Sequence, residues 1–312
     1  MRNRFKGRDF LTLMDFDKEE ITFMLDTAAD LKRKWIRREP HALLPGRTVC
    51  MIFEKQSTRT RVSFQAASAH LGMQSFYMRP DEMQLGRGEP IKDTARIIDR
   101  YCDALVIRTF GQEIIEEFAK YMEHPVINAL TDLVHPCQGL CDLLTIREKK
   151  GRLEGLKWAY AGDLWNVFHT SMYLAATFGM DFFAAQPPGY EPNPRVLQAA
   201  QERAKATGSK IVLTQNFDEI LEGADIVYGN TWHSMGGHEK TKEQRIKDFM
   251  PYQINEAAMA KAKPDAVFMH CLPGYRGEDM TDEVIEGKQS VVFDQGENRM
   301  HTEKAVMALF MQ

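Results

Sequence analysis

Short apolar runs alternate with amphipathic stretches along almost the whole chain. In the first half, strand-like runs occur at 48–53, 75–78, 104–107 and 126–128. The second half repeats the alternation with runs at 157–161, 181–185, 210–214, 226–228, 266–270 and 290–293. Strands that alternate with helices usually pair in parallel, so the pattern predicts an α/β protein with two doubly wound parallel-sheet domains. We expect the active site in the cleft between them.

Helix signals lie between the strand-like runs. Asp17 and Glu20 have the spacing of a capping box and precede an apolar stripe. A helix that follows Trp165 is expected to end at Gly179, because glycine commonly terminates helices. Two further helices are predicted over 195–206 and 302–311.

A charged segment with two glycines, at 149–155, is the expected crossing between domains. The chain has 312 residues, which is enough for two domains of about 150 residues each. We therefore predict a first domain over 1–148 and a second over 149–299. The helix within 300–312 is expected to pack back on the first domain.

Composition and charge exclude several classes of protein. A formal net charge of -4 argues against a general binder of nucleic acid or anionic membranes. No stretch reaches the roughly 18 apolar residues of a membrane helix. The basic N-terminus lacks the apolar segment of a signal peptide. Five cysteines, an odd number, favour a reduced, cytoplasmic setting.

The most informative segment follows the first strand-like run, at 57–61. Ser57 or Thr58 occupies the N-cap position of the next helix, whose first-turn N–H groups lack helical partners. Two arginines and three hydroxyl groups share these five positions. Together they predict a site for a phosphate-sized dianion, and the alternative is an ordinary capped helix with solvated arginines. The P-loop pattern is absent, so a small phosphorylated metabolite fits better than a nucleoside triphosphate.

Other polar residues follow strand-like runs, where open α/β sheets collect their ligands. Arg108 ends one run and is either a surface ion pair or a second anchor for an anion. His135 precedes a helix with Gln138 one turn on; this arrangement suits polarising a carbonyl and holding an amide, and the alternative is a structural histidine. The segment 230–238 is either a surface loop or a lid over a small polar ligand.

The segment 270–273 follows another strand-like run. Its Leu–Pro bond is either cis, which would direct the leucine carbonyl into the cleft, or the commoner trans form. Cys271 is either functional or a buried spectator. The zinc-type ligands nearby in these motifs are His135, Cys137, Cys141, His270 and Cys271. Their spacing does not fit a structural zinc site, so we expect no metal.

These segments resemble the aspartate/ornithine carbamoyltransferases over essentially the whole chain, and the ornithine branch most closely. The resemblance rests on the motifs at 57–61 (STRTR), 84–89 (QLGRGE), 92–96 (KDTAR), 135–138 (HPCQ), 234–236 (SMG), 270–273 (HCLP) and 297–299 (ENR). It implies a transferase without a cofactor.

The resemblance also implies a role for individual residues. Carbamoyl phosphate would be bound by Ser57, Thr58, Arg59, Thr60, Gln84, Arg108, His135, Gln138, Cys271, Leu272 and Arg299. The implied catalytic residues are Arg108, His135, Cys271 and Arg299. The amine substrate would be bound by Asn166, Asn230, Ser234 and Met235. Gln84 would reach the site of a neighbouring subunit, which implies a trimer or a multiple of trimers.

The implied reaction moves the carbamoyl group of carbamoyl phosphate to the δ-amine of L-ornithine. The products are citrulline and phosphate, which places the reaction in arginine metabolism. Arg108, His135 and Thr60 would supply donors to the tetrahedral oxyanion. Cys271 would help to place or deprotonate the amine. The implied partners are therefore two small molecules and further copies of the chain, with no nucleic acid and no membrane.

Two positions depart from the family pattern on the amine side. Asn230 stands where ornithine enzymes usually carry an aspartate that pairs with the α-ammonium group. Trp165 stands within the usual G-D-x-N-N turn. These departures leave open a carbamoyltransferase for another amine, such as an ornithine with a modified α-amino group, and a non-catalytic carbamoyl-phosphate-binding relative. A nicotinamide dehydrogenase is disfavoured because G-x-G-x-x-G is absent after the run at 157–161.

Overall fold

The chain divides into two compact units. In the computed structural model, which describes residues 4–233 and 240–312, unit 1 contains the described residues up to Leu144 together with Glu297–Gln312. Unit 2 contains the described residues of Thr145–Gly296. Which substrate each unit binds stays a prediction.

Unit 1 is built on a parallel sheet covered by helices. Its elements in chain order are α1 (Lys18–Ile36), β1 (Thr48–Phe53), α2 (Thr58–His70), β2 (Gln74–Met78), α3 (Ile91–Tyr101), β3 (Leu105–Arg108), α4 (Gln112–Tyr121), β4 (Val126–Leu130) and α5 (Pro136–Lys150), the last of which continues into unit 2. The described strands lie in the order β2-β1-β3-β4 and all pair in parallel. The chain moves outward from β1 to β2 and then returns to β3 on the other side. The switch point, where such sheets collect ligands, therefore lies between the ends of β1 and β3.

Unit 2 repeats this construction. Its elements are β5 (Lys157–Ala161), α6 (Asn166–Thr177), β6 (Asp181–Ala185), α7 (Pro194–Thr207), β7 (Ile211–Thr214), α8 (Phe217–Leu221), β8 (Ile226–Gly229), α9 (Lys242–Phe249), α10 (Glu256–Met259), β9 (Val267–His270) and α11 (Asp282–Ile285). Within residues 145–233 and 240–296 the strand order is β7-β6-β5-β8-β9, again all parallel. The switch point of this sheet lies between β5 and β8. The predicted pair of doubly wound parallel sheets is therefore confirmed.

Aromatic side chains fill one side of the second sheet. Tyr160 on β5 stacks on Tyr228 of β8 with ring centroids 5.5 Å apart, and Phe168 on α6 meets Tyr160 edge-on at 5.2 Å. All three are buried. Each such pair adds about 0.5–1.5 kcal/mol to the burial of its apolar area. This packing fixes the carboxyl ends of β5 and β8, where the polar residues of the unit lie.

Several local predictions are confirmed. Asp17 and Glu20 form the capping box, with hydrogen bonds of 2.7 and 3.1 Å. Ser57 is the N-cap of α2. Of the two forms left open for the Leu272–Pro273 bond, the structure has the cis form. Gly179 follows the end of α6 with a φ of 70°, a conformation that glycine adopts without a steric cost.

The strand predicted at 290–293 is wrong. Only Ser290 pairs, through an isolated bridge to Phe268, and Val292 begins the helix α12 (Val292–Phe310). The helix predicted at 302–311 is the second half of α12. Both errors share a cause: buried polar side chains, including Arg299 and Glu303, occupy the middle of this helix and hide its apolar periodicity.

In the part of the chain that the structure describes, no helix combines the length and the apolar character that a membrane span requires.

Candidate functional site

The start of α2 presents a cluster of hydroxyl and guanidinium groups at the carboxyl end of β1. The Ser57 side chain accepts a hydrogen bond from the Thr60 N–H at 3.3 Å, which fixes the first turn of the helix. The partial positive charge of a helix N-terminus attracts anions. We call the residues gathered here the anion cluster; they are Ser57, Thr58, Arg59, Thr60, Arg108, His135, Gln138 and Arg299.

Arg108 joins the anion cluster from the end of β3. It pairs in register with Phe53 at the end of β1, and its carbonyl accepts the Glu54 N–H at 2.9 Å. The residue is only 5% exposed. Because β1 and β3 flank the switch point, the buried Arg108 lies where a ligand of this sheet is expected.

Arg299 ties three elements of unit 1 together. Its guanidinium donates to the Thr60 Oγ1 on α2 at 3.1 Å and to the Gln138 Oε1 on α5 at 2.9 Å. It also donates to the Glu303 Oε1 on its own helix at 3.0 Å. Burial opposes its charge, but the Glu303 carboxylate holds the pKa of Arg299 above its usual value. Arg299 is therefore a fixed cation.

His135 is a neutral imidazole within this cationic cluster. Burial, and then the charges of Arg299, Arg108 and Arg59, lower the pKa of His135 well below its usual value. Its carbonyl accepts the N–H groups of Gln138 and Gly139, so the residue also starts α5. A neutral imidazole can donate a hydrogen bond to a developing oxyanion without giving up its proton.

A second set of polar residues lies at the carboxyl end of the unit 2 sheet. The Cys271 thiol donates to the Asn230 Oδ1 at 3.1 Å, and the Asn230 amide donates to the Asp163 carbonyl at 3.3 Å. Asn166 is the first residue of α6 and is 8% exposed. We call Asn166, Asn230, Cys271 and Leu272 the amide–thiol cluster. The Asn230 side chain therefore connects Cys271, which follows β9, to the turn that follows β5.

His270 fixes the turn that carries Cys271 and Leu272. The Leu272 N–H donates to the His270 Nδ1 at 2.9 Å, so that nitrogen carries no proton. The proton is then on Nε2, which lies 2.7 Å from the Asp279 Oδ2 in a fully buried pair. The backbone N–H of His270 donates to the Gln295 Oε1 at 2.9 Å. These contacts set the direction of the Leu272 carbonyl.

A buried ion pair supports the amide–thiol cluster from beneath. The Arg245 Nη2 lies 2.6 Å from the Asp163 Oδ1, and both side chains are about 5% exposed. The Arg245 Nε donates to the Trp232 carbonyl at 2.6 Å. Gly162, with a φ of 143°, lets this turn approach β8, since a Cβ there would lie 2.3 Å from the Asn230 carbonyl oxygen. Arg245 thus links the turn after β5 to the chain after β8.

The structure locates some of the predicted site residues more fully than others. Within unit 1 the structure brings Ser57, Thr60, Gln138 and Arg299 into one network around His135. Gln84, in contrast, is exposed and precedes a short 3-10 helix, so its predicted role in a neighbouring subunit stays a prediction. Ser234 and Met235 lie outside the described residues. The role of Cys271 and Leu272 towards carbamoyl phosphate also stays a prediction.

Several supporting residues were missed by sequence reasoning. Arg245, Asp163, Asp279 and Glu303 are all buried and charged or paired with a charged or ionisable side chain. No local pattern marks Arg245 or Asp279, because their partners are 82 and 9 positions away and belong to different segments. Glu303 carried one signal, its i,i+4 spacing from Arg299.

None of the five cysteines, all of which lie in residues that the structure describes, forms a disulfide. Burial raises the pKa of both Cys137 and Cys141. Among residues 4–233 and 240–312 no group of three or more His, Cys, Asp or Glu side chains has the arrangement of a metal site.

Two parallel sheets with polar and cationic residues at their switch points define an α/β enzyme that acts on small polar molecules. Residues 8–148 match the carbamoyl-P binding domain of aspartate/ornithine carbamoyltransferase, and residues 154–310 match its Asp/Orn binding domain. The chain belongs to the aspartate/ornithine carbamoyltransferase family, and it is a carbamoyltransferase.

Relatives match over nearly the full length. The ornithine carbamoyltransferase of Oceanobacillus iheyensis is 48% identical over 310 residues, which cover 99% of this chain and 96% of the relative. The solved structure of ornithine carbamoyltransferase from Pyrococcus furiosus has 46% identity and a TM-score of 0.94, with 98% of each chain covered. That of Gloeobacter violaceus has 42% identity and a TM-score of 0.87, with 99% of each covered.

Proposed function

We propose that this carbamoyltransferase moves the carbamoyl group of carbamoyl phosphate to the δ-amine of L-ornithine, giving citrulline and phosphate in arginine metabolism. The observation that carries the proposal is the anion cluster of unit 1. It combines a capped helix N-terminus with the guanidinium groups of Arg59, Arg108 and Arg299. The names of the full-length relatives support ornithine as the acceptor.

The anion cluster holds the phosphate and prepares it to leave. The first-turn N–H groups of α2 and the hydroxyls of Ser57 and Thr58 donate to its oxygens. The guanidinium groups of Arg59 and Arg108 neutralise the charge that grows on phosphate as the C–O bond breaks. Because Arg108 is buried, its attraction is weakly screened by water.

His135, Thr60 and Arg108 stabilise the tetrahedral intermediate. Attack of the amine on the carbamoyl carbon places a negative charge on the carbonyl oxygen. A neutral His135 donates to that oxygen and keeps its own proton. Gln138 accepts from Arg299 through its Oε1, and its amide nitrogen donates to the Asp142 Oδ1 at 2.8 Å. Removing one such oxyanion donor typically lowers kcat by about 10²- to 10³-fold.

The amine must lose a proton before it attacks. With a lysine-like pKa of about 10.4, roughly one ornithine molecule in a few thousand carries a neutral δ-amine at neutral pH. A desolvated pocket lowers that pKa. Cys271 is proposed to position the amine through its thiol, and Asn166, Asn230, Ser234 and Met235 to bind the amino-acid end.

A different amine is the second candidate, and Asn230 favours it. The Asn230 side chain uses its oxygen to accept from Cys271 and its nitrogen to donate to Asp163, so it offers no negative charge to an α-ammonium group. Trp165 is half-buried at the start of α6 and adds a large side chain at the carboxyl end of the unit 2 sheet, where Asn230 also lies. An ornithine whose α-amino group is modified would need no such charge.

A screen of amines with carbamoyl phosphate, read as phosphate release, tests the proposed function. Ornithine should give the highest kcat/KM among free amino acids, and ornithines blocked at the α-amino group should be compared with it directly. If an ornithine blocked at the α-amino group gave a higher kcat/KM than ornithine, the blocked compound would be the better assignment of the substrate. If the protein bound carbamoyl phosphate but no amine accelerated phosphate release, the protein would be a non-catalytic binder.

We predict that Asn230→Asp lowers the KM for ornithine by about tenfold, since a charged hydrogen bond is worth about 1.5–3 kcal/mol. The same change removes the donor to the Asp163 carbonyl, so a lower melting temperature should accompany it. Steady-state kinetics on both proteins at saturating carbamoyl phosphate measure the effect.

Asn230→Ala is the control for this prediction, because it removes both hydrogen bonds without adding a charge. It should raise the KM or leave it unchanged. An Asn230→Asp protein whose KM equals that of the unmodified protein, at full folding, would remove Asn230 from the amine site.

The proposed assembly is a homotrimer or a multiple of trimers, with Gln84 reaching a neighbouring subunit. Its exposure in the single chain suits such a contact. A cytoplasmic setting is proposed as well, and five cysteines that form no disulfide support it.

A further inference from the structure

Glu303 is a buried acid directly behind the anion cluster. Its side chain is fully buried on α12, and its Oε1 accepts from the Arg299 Nη2 at 3.0 Å. The same Nη2 donates to the Thr60 Oγ1 at 3.1 Å. One guanidinium nitrogen therefore separates the Glu303 carboxylate from a hydroxyl at the start of α2.

Burial favours the protonated form of Glu303 more strongly than its neighbours oppose it. Burial raises the pKa of Glu303 to about 7, and the attraction of Arg299 and the nearby Ser63 hydroxyl offsets only part of that rise. The groups that face it from α5 are the Cys137 and Cys141 thiols, whose own pKa values burial raises, so both stay neutral. Glu303 is thus the group of this set that changes charge near neutral pH.

We propose that Glu303 takes up a proton when a phosphate-sized dianion occupies the anion cluster, so that anion binding and protonation of this carboxylate are linked. The inference rests on the proposed function, because it assumes that the dianion binds beside Thr60 and Arg299. Glu303 does not touch the ligand in this account. It acts through Arg299. While the cluster is empty, the Glu303 carboxylate balances the charge of Arg299. When the cluster is filled, Glu303 is protonated and the charge of Arg299 attracts the dianion instead.

The sign of the linkage follows from electrostatics. A dianion near Arg299 raises the pKa of Glu303 further, since two negative charges disfavour each other. At a pH below the pKa that Glu303 has in the ligand-free protein, this carboxyl is protonated with and without the ligand. The affinity for the dianion then does not change with pH through Glu303. Above about 7, the free protein has lost the proton and the complex retains it. Affinity for the dianion should therefore fall as pH rises through that value.

Calorimetric titration of the full chain with sulfate tests the linkage. Sulfate is a tetrahedral dianion that remains fully ionised between pH 6 and 9, so any proton taken up comes to the protein. Titrations at pH 7.5 in buffers of different ionisation enthalpy count these protons. We expect roughly half a proton or more per sulfate, and a dissociation constant that rises by up to about tenfold per pH unit above pH 7.

Glu303→Gln identifies the group responsible. Glutamine keeps an oxygen that accepts from Arg299 and cannot titrate, so proton uptake should fall close to zero and sulfate affinity should become independent of pH. His135 would also gain affinity for protons beside an anion, but its lowered pKa keeps that contribution small at pH 7.5. Asp294→Asn is the matched control: it removes a half-exposed carboxylate near the start of the same helix, where it pairs with Lys149, and should leave the proton count unchanged.

The outcomes separate this inference from the proposed function. Equal proton uptake in the unmodified protein and a folded Glu303→Gln protein would overturn the linkage and leave the anion site standing. Sulfate binding by the unmodified protein without proton uptake at pH 7.5 would overturn it even where Glu303→Gln fails to fold. If neither sulfate nor carbamoyl phosphate bound at any pH, the proposed function and the linkage would both fail.

Discussion

Replacing Arg59 or Arg108 by alanine should lower kcat/KM for carbamoyl transfer by about 10³-fold or more. Each guanidinium is proposed to neutralise a leaving phosphate, and both lie close enough to His135 to lower its pKa. A substitution therefore removes charge both from the bound dianion and from the transition state. Initial rates of citrulline formation over a range of carbamoyl phosphate concentrations measure the loss.

Two further variants separate charge from geometry. Arg59→Lys keeps the positive charge but loses the paired donors of the guanidinium, so its activity should lie between those of the unmodified protein and Arg59→Ala. Arg33→Ala removes an exposed arginine from α1, where it pairs with Asp30, and should leave kcat/KM within about twofold. Near-normal turnover by a folded Arg59→Ala or Arg108→Ala protein would remove that arginine from the phosphate site.

Arg245→Ala should destabilise unit 2 by about 3–5 kcal/mol, because it removes the cation that pairs with the buried Asp163 carboxylate. For a unit of this size the loss corresponds to a fall of roughly 10 °C in melting temperature. The substitution also removes the hydrogen bond to the Trp232 carbonyl. Because the Asp163 carbonyl holds Asn230, a higher KM for the amine should accompany the lower stability.

A double-substitution cycle isolates the ion pair from the packing of the side chains. Arg245→Met keeps most of the volume against Tyr190 and Phe249, and Asp163→Asn removes the buried charge. The double variant should be more stable than Arg245→Met alone, because the buried negative charge is then removed together with the cation that balanced it. Additive losses in the two single variants would show that the pair contributes nothing as a pair.

The phosphate side of the site could be predicted because its signal is local. Ser57, Thr58, Arg59 and Thr60 follow one another directly after a strand, and the N-cap assignment of Ser57 needed only neighbouring residues. Parallel topology then placed Arg108 beside them, since the ends of β1 and β3 meet at the switch point. Here, the local sequence pattern and the sheet topology both predict an anion site at the same edge of the unit 1 sheet.

The supporting contacts could not be predicted in this way. Arg299 and Thr60 are 239 positions apart, and only the resemblance to a family drew attention to Arg299. The residues of α12 around it are polar and buried, so the apolar spacing that marks a helix is missing and the apolar residues at 291–293 suggested a strand instead. A buried charge pair is stable only when the fold brings its two residues together in a suitable geometry, and the order of residues along the sequence does not show that geometry.

The amine side was the least predictable part. Asn230 was recognised as a departure from the family pattern, but its hydrogen bond to Cys271 joins positions 41 apart and depends on the neighbouring strands β8 and β9. The Arg245–Asp163 pair beneath it had no local signal. Specificity for the amine therefore depends on contacts between segments rather than on any motif within one.

A crystal structure of the protein with carbamoyl phosphate, or with a phosphonate mimic of it, would show whether the start of α2 is the phosphate site. We predict a tetrahedral group at the start of α2, accepting from the first-turn N–H groups and from Arg59 and Arg108. Crystals saturated with the ligand in which this position holds only solvent, or in which the tetrahedral group lies elsewhere, would contradict the account.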